Sequence, residues 1–148
     1  MNFSESIKAF EKKALLAANR SRSNAIESLF TEVVVLSPDP PGKGNYAKGL
    51  VKNSWYASIG LPDLTVGRTP NVNGADSLSR IRSILTMLPL NNDAVVTLTN
   101  SLPYINYVEN VGWPKNYPGN NTGWQWTGKV GPYSMVSTSI THFIGRYA

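Results

Sequence analysis

Apolar residues recur at spacings of three and four in two stretches between Phe3 and about Val35. Such spacing is typical of an amphipathic helix, because residues three and four apart lie on the same helix face. The apolar positions are Phe3, Ile7, Phe10, Ala14, Ala17, Ile26, Leu29, Phe30 and Val33. A polar run at 19–24 has weak helix propensity, so we expect a bend or an exposed turn there. Arg20 and Arg22 in that run are either a contact patch or part of a solvated helix face.

The middle of the chain alternates between loop and strand patterns. The segment Ser37–Gly44 is rich in proline and glycine, which predicts a loop. The segment Val51–Ile59, which includes Trp55 and Tyr56, is rich in aromatic and β-branched residues and predicts a strand. Proline, glycine and asparagine then punctuate residues 61–73, which we interpret as a second loop.

A second helix and a second strand are predicted further along the chain. Apolar residues recur at helical spacing from Asp76 to Leu88, with Asp76 or Ser77 placed as the N-cap and Pro89 closing the segment. The branched residues of 94–99 predict a strand that ends at 100–103.

The last third of the chain holds an apolar segment, a long loop and a terminal element. Residues 104–111 are apolar and aromatic, whereas 112–131 show little periodicity and predict a loop. The segment Tyr133–Ile144 is consistent with a third helix or an extended arm. We therefore expect one α+β domain over residues 1–148, with a long N-terminal helix and shorter helices packed on a mainly antiparallel sheet, and with long loops.

The composition indicates a surface that is partly reserved for protein contact. Hydrophobic residues make up 41% of the 148 residues and charged residues only 16%, which is low for a soluble monomer. A net charge of +5 would attract polyanions or acidic protein faces. The chain has no cysteine, which excludes disulfides, thiolate metal sites and cysteine nucleophiles.

The residues that enzymes use are sparse in this sequence. His142 is the only histidine, so a catalytic triad and a paired-histidine metal site both lack their usual parts. Gly42-Lys43-Gly44 does not have the spacing of a phosphate-binding loop, and the acidic residues are scattered. We expect no enzymatic activity, no cofactor and no metal. No stretch approaches the ~20 apolar residues of a membrane span, and we expect a cytosolic chain that does not engage a membrane.

The loop at 112–131 concentrates aromatic residues, and two functions fit them. Tryptophan and tyrosine mark protein interfaces, but they also stack on the bases of single-stranded nucleic acid. The loop contains only two lysines, Lys115 and Lys129, which favours an interface over nucleic-acid binding. The candidate contact residues here are Trp113, Tyr117, Trp124 and Trp126.

Three segments together resemble a known family. Residues 100–112, Asn-Ser-Leu-Pro-Tyr-Ile-Asn-Tyr-Val-Glu-Asn-Val-Gly, look like the signature Asn-x-x-Pro-Tyr, aliphatic-Glu and glycine of phage tail-completion proteins. The loop from Ser37 to Lys52-Asn53-Ser54-Trp55 and the segment 132–136, Pro-Tyr-Ser-Met-Val, are similar to that family's flanking segments. The order of the segments also matches. The chain thus resembles the tail-completion or tail-terminator proteins of long-tailed bacteriophages, although Asn110-Val111-Gly112-Trp113 replaces the Tyr-Gly-His-Ser often found there.

The resemblance implies a structural virion protein at the phage neck, assembled in the host cytoplasm. Such a subunit forms a six-fold ring that completes the tail and joins it to the head connector. The implied partners are other copies of the chain, the head connector, stopper or portal proteins, and the tail tube protein, with DNA passing through the ring lumen. The alternative function is a small basic nucleic-acid-binding protein that uses the tryptophan-rich loop.

The motif residues have expected roles on this interpretation. We expect Asn100 and Pro103 to shape the strand exit, and Tyr104 and Tyr107 to pack. Glu109 should make a polar contact within or between subunits; the alternative is that all five residues only hold the fold. Trp55 is expected in the core, because it lies on a predicted strand. The remaining motif positions are Gly112 and Met135. Arg20, Arg22, Glu109 and the aromatic residues of the loop are the candidate interface residues.

Overall fold

A single helix, α1, runs from Phe3 to Leu36. It belongs to a computed structural model that describes residues 2–40, 47–89, 93–113 and 132–147. Asn2 and Glu5 form a capping box, in which each side chain accepts a hydrogen bond from the other residue's backbone N–H at 2.9 Å. The helix is continuous through 19–24, and Asn19, Arg22 and Ser23 are partly buried there, so the expected exposed turn is wrong. Arg22 within this run donates to the carbonyl of Ala94, which holds that part of the helix against the domain.

The other elements are short, and together they give the α+β fold that the sequence predicted. Helix α2 is a single turn at Leu50–Asn53, and helices α3, α4 and α5 span Ala75–Thr86, Ile105–Asn110 and Met135–Tyr147. Strands β1 (Trp55–Ile59) and β2 (Val96–Asn100) form a two-stranded antiparallel sheet. Of the two alternatives for the last segment, helix is the correct one. No helix in the described ranges is long and apolar enough to cross a bilayer.

The sheet presents different chemistry on its two faces. Trp55 pairs with Asn100, Ala57 with Leu98 and Ile59 with Val96, so these side chains share one face. On the other face, the hydroxyls of Ser58 and Thr97 lie 2.7 Å apart. The apolar face therefore points toward the core, and the polar face points away from it.

Two predicted boundaries were wrong for the same reason. Residues 51–53 form a helical turn instead of the start of a strand, and α3 begins after Gly74 instead of at an Asp76 or Ser77 cap. In both places a glycine with positive φ (78° at Gly49, 65° at Gly74) redirects the chain immediately before the helix. A Cβ on Gly74 would lie 2.7 Å from Cγ1 of Val34, so the glycine also lets α3 approach α1 closely.

The core lies between the C-terminal half of α1, the sheet, α3 and α5. Val34, Val108 and Met135 are fully buried, and Ile81 and Val51 are 1% exposed. Trp55 is 5% exposed, as predicted, and its indole N–H donates to the hydroxyl of Ser37 at 2.8 Å. That hydroxyl also lies 2.9 Å from the carbonyl of Val33, so the end of α1 is tied to the first strand.

Replacing Trp55 should test this arrangement. Because Trp55→Ala removes a buried ring and leaves a cavity, it should lower the free energy of unfolding by about 3–5 kcal/mol. Tyr107→Ala is the matched control: its ring is 57% exposed, and the change should stay within about 0.5 kcal/mol. Chemical denaturation of both variants measures the difference, and equal stabilities would contradict the burial of Trp55.

Candidate functional site

The three segments that carry the family resemblance meet in one place. A cavity of ≈ 190 Å³ lies between the sheet, α4 and α5. Trp55 of the first segment, Asn100 and Glu109 of the second and Met135 of the third all line it. We refer to these four residues as the motif cluster. Ile105, Asn106 and Val136 complete the lining.

Asn100 of the motif cluster fixes the exit of β2. Its amide nitrogen donates to the carbonyl of Val51 at 3.1 Å, and its amide oxygen accepts from the backbone N–H of Leu102 at 3.2 Å. The second bond spans two residues, the arrangement by which asparagine closes a turn. Pro103 follows in that turn and is exposed. Both residues thus lie where the sequence placed them, at the end of the strand.

Glu109 caps a helix that begins 26 residues later in the chain, at Met135. Its carboxylate accepts from the backbone N–H of Val136 at 3.1 Å and of Ser137 at 3.3 Å. The first N–H groups of a helix have no partner within the helix, and a carboxylate there also interacts favourably with the helix dipole. The contact that Glu109 makes in the described structure is therefore within the subunit.

Asn53, beside Trp55, caps α3 in the same way. Its side-chain oxygen accepts from the backbone N–H of Asp76 at 3.0 Å, and its nitrogen donates to the Asp76 carboxylate at 2.8 Å. Arg80 on α3 then donates to the carbonyl of Trp55 at 3.0 Å and lies 4.0 Å from the centre of the Tyr56 ring. These polar contacts hold α3 on β1.

Among the remaining motif residues, two of the expectations were wrong. Tyr104 is 7% exposed and packs against Trp113, with the ring centres 5.7 Å apart. Trp113 was expected at an interface, but it is only 4% exposed, because the chain turns at Gly112 (φ 131°) and returns the ring to the core. Tyr107 was expected to pack, but it is 57% exposed, since Tyr104 and Val108 occupy the inward positions of that segment. Met135 is fully buried.

The first half of α1 does not pack on the rest of the described domain. Every residue from Asn2 to Ala18 is exposed, and we call residues 3–18 the arm. At about 1.5 Å per residue the arm is about 24 Å long. It carries large apolar side chains in water: Phe3 is 83% exposed, Phe10 72% and Ile7 42%. Arg20, just beyond the arm, is exposed as well, whereas Arg22 is used by the domain itself.

A groove beside the motif cluster exposes apolar residues of the domain. It has a volume of ≈ 170 Å³ and lies between α1, the apolar face of the sheet and α5. Trp55 and Val136 line both this groove and the cavity of the motif cluster. The groove residues are Leu29, Phe30, Val33, Trp55, Val96, Leu98, Val136 and Ile140.

The single histidine belongs to an ionic contact between α1 and α5. Nδ1 of His142 lies 2.5 Å from the Glu32 carboxylate, and the Arg146 guanidinium lies 2.5 Å from the other oxygen. Arg146 also donates to the Ser28 hydroxyl at 3.2 Å. The His142 hydrogen bond, together with Arg146, lowers the pKa of Glu32. This contact closes the C-terminal helix onto α1.

The described residues of the site pack the core and cap helices. In the ranges that the structure describes, no group of three His, Cys, Asp or Glu side chains could hold a metal ion. Tyr117, Trp124 and Trp126, the other candidate contact residues, lie outside the described residues.

Sequence reasoning missed two residues that organise the site. Asn53 and Arg80 were given no role, because their partners are more than twenty residues away and no local pattern connects them. The position of Asn53 next to Trp55 in a motif segment was the available signal. Comparison of the chain with protein-family models, with curated proteins and with solved structures found no match.

Removing the carboxylate of Glu109 should loosen α5. Glu109→Ala deletes the cap and should lower the free energy of unfolding by about 0.5–2 kcal/mol. Glu109→Gln keeps a hydrogen-bond acceptor but removes the charge, so it should lower the free energy of unfolding by only about 0.3–1 kcal/mol, the contribution of the charge's interaction with the helix dipole. Thermal unfolding followed by circular dichroism gives both values, with Glu11→Ala on the exposed arm as control. A Glu109→Ala protein as stable as that control would contradict the capping role.

The Glu32 contact should make stability depend on pH. Because the folded-state pKa of Glu32 is lowered from its ordinary value of 4.5, the carboxylate stabilises the folded protein above that value. The contribution is lost as the pH falls through the lowered pKa. Melting temperatures between about pH 6 and about pH 3 should therefore fall less steeply for Glu32→Gln than for the unmodified chain. Parallel curves for the two proteins would refute this assignment, and Glu11→Gln controls for the loss of one carboxylate.

Proposed function

We propose that this protein is a structural subunit of a long-tailed phage particle, which forms a ring at the neck that completes or terminates the tail and joins it to the head connector. The ring of six copies, the neighbouring connector and tail tube proteins, and the location in the virion all come from the family resemblance. The geometry contributes independent support for one part of the proposal, namely that the chain works in contact with other protein molecules.

The observation that carries the proposal is the exposed arm. Soluble monomers rarely leave large contiguous apolar patches in water, and patches of this kind mark interaction sites. Phe3 and Phe10 are each more than two thirds exposed on a helix whose start is fixed by a capping box. A helix this well defined, with aromatic side chains in water, is suited to contact with another protein.

The convergence of the motif segments is the second support. Short motifs arise by chance, but these three line one cavity and perform connected tasks at the ends of β2 and α5. Residues that share a structural unit are expected to occur together in a family. The ring lumen and residues 114–131 of the predicted loop, which we propose as a further contact patch, rest on the sequence alone.

The alternative to a structural role is nucleic-acid binding, which a positive net charge would favour. The net charge of +5 is suitable for a polyanion, but the arm mixes two acidic residues with three lysines instead of presenting a purely basic face; they are Glu5, Lys8, Glu11, Lys12 and Lys13. Binding that depends on phosphate contacts weakens steeply with salt. A DNA mobility shift at low salt that disappears at high salt, in a protein that stays monomeric, would favour this alternative.

Loss of the protein from infected cells tests the proposal directly. In a phage whose gene for this chain carries a nonsense mutation, we expect filled heads and separate tails, because the joint between them would be missing. Electron microscopy of lysates gives the result, and expression of the intact chain in trans should restore joined particles. A normal yield of infectious particles from the nonsense mutant would refute the neck role.

A further inference from the structure

The arm carries an apolar stripe that faces a different direction from the part of α1 that packs on the domain. The stripe consists of Phe3, Ile7, Phe10, Ala14 and Ala17. The packed positions are Ile26, Leu29, Phe30 and Val33. At about 100° per residue, the two sets are centred roughly 130° apart around the helix axis. The stripe is therefore not an extension of the domain's own core contact.

The spacing of the stripe is that of a helical seam. Its steps are four, three, four and three residues, the heptad spacing with which helices pack on apolar partners. Charged residues lie beside it, Glu11 and Lys13 among them. The sequence thus builds a narrow apolar surface on an exposed helix, and the described domain provides nothing to cover it.

The groove is a complementary surface on the same chain. An apolar cavity of about 150 Å³ is large enough to bind benzene, and the groove measures ≈ 170 Å³. The groove therefore has about the volume that one phenylalanine ring needs. Ile140 at its rim is 44% exposed, and Val96, Leu98 and Val136 are only partly buried. The groove, like the stripe, lacks an apolar partner among the described residues.

The arm cannot fill the groove of its own chain. Phe30 on the same unbroken helix lines the groove, and Phe10 lies twenty residues before it. That separation corresponds to about 30 Å along a rigid rod. Folding back would require α1 to break, and the continuity of the helix through 19–24 argues against this.

The area of the two surfaces fits an exchange between copies. Phe3 and Phe10 are 83% and 72% exposed, and an aromatic side chain buries roughly 150–250 Å², so the two rings offer about 300 Å². With the facing groove counted, one contact buries about 600 Å², below the roughly 1,200–2,000 Å² of a stable complex. Each copy has both an arm and a groove, so a reciprocal exchange puts two contacts into one interface and reaches the lower end of that range, whereas each interface of a ring holds one such contact.

We propose that the apolar stripe of the arm of one copy seats in the groove of a second copy, with a phenylalanine ring inserted between α1, the sheet and α5. The inference deepens the proposed function, on which it rests for the closure of a ring. A patch that contacts a different patch on its neighbour generates either a ring or a filament, and reciprocal exchange gives a dimer.

Cysteine crosslinking can test the contact cleanly, because the chain has no native cysteine. Lys13→Cys places a thiol beside the stripe, and Ile140→Cys places one at the groove rim; both leave Phe3 and Phe10 intact. When the two full-length proteins are mixed and treated with a short bifunctional thiol reagent, we expect a covalent heterodimer. Efficient crosslinking of Lys13→Cys alone would show that arms pair with each other and would overturn the proposal. So would a mixture that gives no product.

A matched pair of arm variants separates the stripe from general loss of apolar area. Phe10→Ser in the Lys13→Cys protein should reduce the heterodimer roughly tenfold or more, because the ring leaves the groove. Leu16→Ser removes an exposed apolar side chain from the other side of the helix and should leave the yield unchanged. Equal losses in the two variants would refute the assignment. Circular dichroism checks that both variants keep α1 helical.

Failure of this inference and failure of the proposed function give different results. If the crosslinked heterodimer forms but the nonsense mutant assembles normal particles, the arm contact stands and the neck role is rejected. If the nonsense mutant fails to join heads and tails but no heterodimer forms, the neck role stands and the arm contact is rejected. Light scattering of the unmodified protein then distinguishes a closed ring from a reciprocal dimer.

Discussion

The unsatisfied N–H groups at the start of each helix impose the constraint on which the rest of this fold depends. A two-stranded sheet is marginal on its own, so the helices must be held in place by more than apolar contact. Asn53 supplies the acceptor for α3 and Glu109 supplies it for α5, each from a distant part of the chain. Each cap fixes a direction as well as a distance, because the acceptor must lie on the helix axis at its first turn. The two helices are thereby oriented relative to β1 and α4.

This arrangement explains why the motif residues are neighbours in space. Glu109 caps α5, and the backbone N–H groups of Tyr133 and Ser134 donate to the carbonyls of Val108 and Glu109. The end of α4 and the start of α5 are therefore joined by three sets of hydrogen bonds, which place Met135 in the core. Trp55 reaches the same core from the opposite side and ties it to the end of α1 through Ser37. The motif cluster is thus first of all a folding unit.

Elements that depend on the spacing of apolar residues could be predicted from the sequence. Features that depend on contacts with residues far along the chain could not. The apolar spacing located α1 and the core of α3, and branched residues located most of both strands. The exposed turn expected at 19–24 was wrong, because Arg22 there donates to the carbonyl of Ala94, far along the chain. Asp76 was taken as a cap for α3, but Asn53 performs that task from 23 residues away. Trp113 was expected at an interface, but the turn at Gly112 places its ring against that of Tyr104. No local pattern contains any of these partners.

The same limit explains why the arm stood out only once the fold was known. In the sequence, steps of three and four residues occur in both halves of α1, and we predicted one amphipathic helix from them, although the two apolar sets are centred roughly 130° apart around its axis. The structure separates the two sets, since the second half of α1 has a core to cover and the first half has none. Helix formers and a capping box keep the arm helical without tertiary contacts, because it extends a helix already nucleated in the domain. The apolar residues of the arm are therefore not needed for folding of the described domain. In water they lower the solubility of the protein, and contact with another protein would remove that disadvantage. That physical asymmetry between the two halves of one helix is the strongest reason to regard this chain as part of an assembly.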